Sequence, residues 1–264
     1  MTQTKQPKIE VKVDRQIDER VKSGPLKAAK LTTFIALGCV MLGSLVGCPK
    51  SKSALTSGTL TSIKDTTLYE DATGALSNGA GQHMFAGTKG AGHSVRGLVA
   101  FDVPGKVPAG MTLTAVKLRL NLSRASSVSG QTIGLHRVLA DWGEGSTVAS
   151  GGGGGGGPAS TGGATWLHRF FSDKLWSSPG GDFEATSSAS ISVAGLGAYE
   201  WGSTDQMVAD VKMWLDDPSS NYGWLLRSND NATIVKRFDT RENASEANRP
   251  TLILTFAQVG PTKK

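Results

Sequence analysis

The 264-residue sequence has little of what staples or metallates small folds: two cysteines, Cys39 and Cys48, and four scattered histidines. A disulfide framework and a four-cysteine zinc site are therefore excluded, and the histidines show no metal-ligand spacing. Aromatic residues make up only 6% and charged residues 19%, yet the 38% hydrophobic fraction is enough for a core. Wholesale disorder is excluded on that ground. Long helices are disfavoured by 34 glycines. A basic excess is also missing from most of the chain. Of the 28 basic and 22 acidic residues, residues 1–47 hold eight and four, so the remainder holds 20 and 18. The overall pI near 9.3 thus gives no argument for nucleic acid, and no nucleic-acid partner is expected.

What is present begins with a leader. Residues 31–47, LTTFIALGCVMLGSLVG, carry no charge and follow Lys27 and Lys30. The run is short of the roughly 20 residues of a membrane span and fits the apolar region of a signal sequence. Leu45, Val46 and Gly47 before Cys48 read as a bacterial lipobox. Lipidation of Cys48 would place two acyl chains in the membrane, which hold where one does not. The expectation is a leader over 1–47, a tether over 48–59 and a lipid-anchored protein of the bacterial cell envelope, at the outer membrane or cell surface. An uncleaved single-span anchor is the alternative.

From about 60 to 257 the pattern is that of strands. Val116–Ser123 alternates strictly between apolar and polar residues, so one face is buried and one is wet. Further strands are expected at Arg96–Asp102, Thr132–Val138, Ser190–Val193, Tyr222–Arg227, Thr233–Phe238 and Thr251–Phe256, with Gly, Asn and Pro between them. Many short strands without regular helices between them predict an all-β antiparallel sandwich of jelly-roll type. One short helix is expected over Asp205–Asp216. There Met207, Val208, Val211, Trp214 and Leu215 form a single stripe. Residues 143–165 read as a Gly-rich loop insertion, because the run Gly151–Gly157 loses too much backbone entropy to order against a core. Residues 258–264 read as a tail.

Several segments together resemble the DNRLRE-type, disaggregatase-related β-sandwich domain of bacterial and archaeal surface proteins. They are Arg96–Asp102, Leu113–Leu120, His136-Arg137-Val138, Asp141–Gly145, Asp210–Trp214 with Asn221–Arg227, Arg241-Glu242 and Arg249–Leu252. The resemblance implies a non-catalytic module on the cell surface. In some relatives it implies binding of acidic polysaccharides such as alginate.

Candidate site residues follow from the chemistry of such a ligand. Arg96, Lys117, Arg119, Arg137, Lys236 and Arg237 lie on strands, and adjoining faces would make a basic surface suited to uronate carboxylates. Trp166, Trp176 and Trp201 lie in loop-like sequence and are candidates for stacking on sugars, whereas Trp142, Trp214 and Trp224 sit on apolar stripes and belong to the core. Asp65, Glu70 and Asp71 can hold a structural calcium with backbone carbonyls; no other cofactor is expected. Asp141 and Glu144 flank Trp142 as a turn whose acids cap backbone amides, rather than as a catalytic pair. The functional expectation is a non-catalytic envelope protein binding an acidic glycan. The alternatives are a structural surface or matrix scaffold and a polysaccharide-cleaving enzyme.

Overall fold

The computed structural model describes residues 55–90, 92–228 and 232–259. Leu45, Val46, Gly47, Cys48 and the rest of the expected leader lie outside the described residues. The strands are β1 (Leu55–Tyr69), β2 (Leu76–Ser77), β3 (His83–Thr88), β4 (Ser94–Phe101), β5 (Met111–Ala125), β6 (Gln131–Arg137), β7 (Gly157–Pro158), β8 (His168–Phe170), β9 (Lys174–Leu175), β10 (Ala189–Val193), β11 (Gly197–Gly202), β12 (Trp224–Ser228), β13 (Val235–Asp239) and β14 (Thr251–Gln258). The helix α1 spans Asp205–Asp216. The fold is all-β and antiparallel, as the alternation predicts.

Ten of the strands form one sheet in which β1, β14, β5, β13, β3 and β4 close into a ring, because β4 also pairs with β1. The long strands fold this ring into two layers. Through Leu55–Thr61, β1 pairs with β14; from Ser62 onward it pairs with β4, with a bulge between Ser62 and Lys64. A bulge adds one unpaired residue and bends the strand, which lets one strand serve both layers. The first layer holds β14, β5, β11 and the start of β1; the second holds the end of β1, β4, β12, β6 and β10.

The inner core lies between the layers. In β5, Val116, Leu118, Leu120 and Leu122 point in, and they meet Leu252, Leu254 and Phe256 of β14. The second layer contributes Val99, Phe101, Trp224, Leu226, Ile133 and Leu135. Helix α1 contributes Met207, Val211 and Trp214, with Val208 and Leu215 packed beside them. The Thr204 hydroxyl caps α1 by accepting from the Met207 amide. Asp210 is buried on the same stripe; its carboxylate accepts from Ser188 Oγ at 2.5 Å and Trp224 Nε1 at 2.9 Å.

Three elements differ from the sequence reading. Residues 55–59, expected in a tether, already pair with β14. Strands β3 and β11 are not among the expected strands: β3 is buried over Met84–Gly87 without alternation, and the alternation of β11 is limited to Tyr199 and Trp201 between two glycines. The glycine-rich segment is packed rather than free. The Tyr69 hydroxyl donates to Gly153 O at 2.6 Å, the Ala149 amide donates to Asn78 Oδ1 at 2.8 Å, and β7 pairs with β2. Hydrogen bonds from fixed neighbours offset the entropy that the sequence argument counted alone.

Candidate functional site

A cleft of about 430 Å³ opens where β13, β5 and β3 meet the glycine run. Register builds its cationic side. Arg237 of β13 sits directly opposite Arg124 of β5 on one edge and opposite Phe85 of β3 on the other. The three residues form one row on the outward face. Lys89, just past the end of β3, also lines the cleft, with Nζ 5.0 Å from the centroid of the Tyr69 ring. Gly151, Gly152 and Gly154 form the opposing wall. The wall is low because these positions lack side chains: a Cβ on Gly152 would lie 3.5 Å from Arg237 Nη1.

The electrostatics of the cleft are unbalanced. Like charges placed directly opposite on neighbouring strands repel. Burial lowers the proton affinity of Arg237 most, and Arg124 lowers it further, while Asp239 acts the other way. Asp239 is already engaged, accepting from Asn121 Nδ2 at 2.7 Å and facing His83 at 3.6 Å. Among the described residues no carboxylate lines the cleft, and none of Lys89, Arg124 and Arg237 has an ion-pair partner. Burial also lowers the proton affinity of Lys89, and Asp71 opposes it more weakly. The arrangement suits a polyanion, with forked donors from two guanidinium groups and a point charge from the ammonium.

Of the six cations read from the sequence, only Arg237 lies in this cleft. Lys117 and Arg119 remain on the wet face of β5, where Lys117 pairs with Glu200 at 3.0 Å and Arg119 donates to Ala247 O at 3.0 Å. Arg137 pairs with Glu184 at 2.7 Å and reaches the buried Asp210 at 3.5 Å. Arg96 is drawn under the covering segment; it donates to Gly180 O at 2.6 Å and lies 4.6 Å from the Trp166 ring centroid. Lys236 is fully buried and donates to Ser127 O, Ser129 O and Ala194 O. It closes one end of the sandwich and is not a binding residue.

The stacking candidates are corrected as well. Trp166, Trp176 and Trp201 are only 8%, 5% and 0% exposed. Irregular sequence did not mean exposure here, because each ring fills a core. Trp176 Nε1 donates to Thr165 O, and Trp201 Nε1 donates to Ile133 O.

The expected calcium set does not assemble. Glu70 accepts from the Ser94 amide at 2.5 Å, and Asp71 accepts from the Thr73 hydroxyl and the Ala75 amide. Asp65 instead lies with Glu144 and Glu242, which no sequence pattern linked to it. Trp142 is buried, as its apolar stripe predicts, and Glu144 accepts from the Asp65 amide at 2.8 Å.

Sequence reasoning missed Lys89, Arg124 and Phe85. The strand alternation of β5 was followed only to Ser123, one residue before Arg124. No known family and no curated protein matches this chain.

Proposed function

We propose that the protein is a non-catalytic, lipid-anchored envelope-surface protein, of the DNRLRE type that its segments resemble, and that it binds an acidic polysaccharide such as alginate. The observation that supports this is the Arg124–Arg237 pair with Lys89, set in a cleft that no carboxylate lines among the described residues. A uronate chain brings one carboxylate per sugar and would relieve the repulsion that the empty register imposes. The anchor at Cys48 would hold the cleft at the envelope.

The test is calorimetric titration of the full chain, in mild detergent, with alginate, polygalacturonate and a neutral glucan. Saturable heat is expected with the two acidic polymers and not with the glucan, and it should weaken as salt is raised. Replacing both Arg124 and Arg237 with alanine should weaken binding by on the order of tenfold or more, since each charge-assisted hydrogen bond contributes about 1.5–3 kcal/mol. Replacing Lys117 and Arg119 should leave it unchanged. No heat with any polymer would move the reading to a structural scaffold.

A further inference from the structure

Three acidic side chains from distant parts of the chain meet beside the β1 bulge. Asp65 comes from β1, Glu144 from the segment after Trp142, and Glu242 from the turn after β13. Each offers one oxygen, and these oxygens lie within 4.8 Å of one another. Arg241 answers part of the charge. Its Nε and Nη2 donate to the two oxygens of Glu144, each at 2.8 Å, and its Nε also lies 2.9 Å from Glu242 Oε1. One guanidinium faces three carboxyl groups, so the cluster is acidic beyond what Arg241 answers.

Two oxygens in the cluster have no protein partner. Asp65 is fully buried; its Oδ2 accepts from the Arg241 amide and the Ser62 hydroxyl, whereas Oδ1 accepts nothing. Glu242 Oε2 is likewise buried without a partner. A buried ionised oxygen left unpaired is costly: native folds pair it, give it to a metal or protonate it, and burial, with Glu242 and Glu144 nearby, pushes the Asp65 carboxyl well above the usual carboxylate range.

We infer that Asp65, Glu144 and Glu242 bind a hard divalent cation, calcium above all. The donor set is all oxygen, which selects calcium or magnesium over zinc or copper. Calcium–oxygen distances of about 2.3–2.6 Å let two ligands on opposite sides of the ion stand up to roughly 5 Å apart, and the three oxygens here fall within 4.8 Å of one another. Magnesium demands a tighter octahedron. A divalent ion would answer the acidic excess that Arg241 leaves. The site fastens β1, the covering segment and the turn after β13 to one point. Its local backbone is held close, since a Cβ on Gly79 would collide with the Glu144 carbonyl. This inference is independent of the glycan reading, because no cleft cation takes part in it.

The test begins with the full chain stripped by chelator and dialysed against calcium, with bound metal measured by elemental analysis. One ion per chain and a rise in melting temperature with calcium are expected. Magnesium should raise it less. Glu242→Gln and Asp65→Asn should each weaken calcium binding by on the order of tenfold or more, the scale seen when a metal site loses a supporting group. Glu242 is partly exposed, so Glu242→Gln carries the test even if Asp65→Asn does not fold. No retained calcium and no thermal shift up to millimolar calcium would overturn the inference, and so would unchanged binding in Glu242→Gln. Polymer titration in chelator reads the cleft separately, so either proposal can fail without the other.

Discussion

The two layers of the sandwich are built from different sequence patterns because they meet different surroundings. The β5–β14 layer has one wet face, and its strands alternate: Leu118 and Leu120 point in, Lys117 and Arg119 point out. The paired stretch of β4 and β12 in the other layer has none. Leu98 to Phe101 and Trp224 to Leu226 are apolar without a break, and every one of these residues is buried. Val99 and Phe101 of β4 enter the inner core, while Leu98, Ala100 and Leu225 enter a second core with Trp142, Trp166 and Trp176. The cover over that second core is irregular chain, not a third sheet. A continuous apolar strand thus announces a covered face, even where the cover itself reads as loop.

The sharpest way to break this comparison is to remove a side chain from each core. Leu118→Ala tests the inner core and Leu225→Ala the outer one, and each should cost about 2–5 kcal/mol in urea unfolding. Equal costs would mean that the irregular cover packs as tightly as a sheet. Should Leu225→Ala cost no more than the roughly 0.5 kcal/mol of a surface change, the outer core would be open. Thr255→Ala on the wet side of β14 supplies that surface reference.

Legibility in the sequence followed the same division. The alternating strands, the stripe of α1 and the burial of Trp142 could be read directly, since period and spacing report on one face at a time. The cover could not, because its anchoring residues are scattered through Gly- and Ser-rich chain and its order depends on partners such as Tyr69 and Asn78. The cleft was half legible. Arg237 was named from its strand, but its neighbour Arg124 depends on a register shift between Arg237 and Phe238 that no periodicity predicts. The carboxylate cluster was illegible because it is assembled from positions 65, 144 and 242. Only Asp65 had been singled out, and with the wrong companions.

The cover can be probed at finer scale inside the glycine run, where two alanine substitutions should have opposite signs. Gly153 has φ +87°, and a Cβ there would meet Asn78 at 2.7 Å and Phe85 at 3.3 Å. Gly153→Ala should destabilise by about 1–3 kcal/mol, the cost of a strained backbone position. Gly155 has open space around it and no left-handed φ. Gly155→Ala should be neutral or stabilise by up to about 1 kcal/mol, by restricting the unfolded chain. Thermal denaturation of both variants checks the pair. Two neutral results would mean that the run is held by nothing, and two losses would mean that it is packed along its whole length.

The smallest expected effect is a pH slope from the covered layer. His136 of β6 lies on the outer-core side, edge-on to Phe183 at 5.4 Å. Its Nδ1 is 2.8 Å from Glu184 O, an acceptor, so Nδ1 carries the proton and donates. Nε2 is buried without a partner. A second proton there would have no acceptor. Burial therefore holds the imidazole below its usual pKa of 6.5, and Arg227 and Arg96 push it further down, while the Glu184 carbonyl opposes them. The unfolded chain then binds more protons than the fold. The contribution is fully present above pH 6.5 and is lost as pH falls through the depressed value. Urea unfolding between pH 8 and pH 5 should show stability declining over the acid half, and His136→Leu should flatten that decline at the cost of one hydrogen bond. An unchanged slope in the variant would place the titrating group elsewhere, and with it the claim that the cover seals this side of β6 from water.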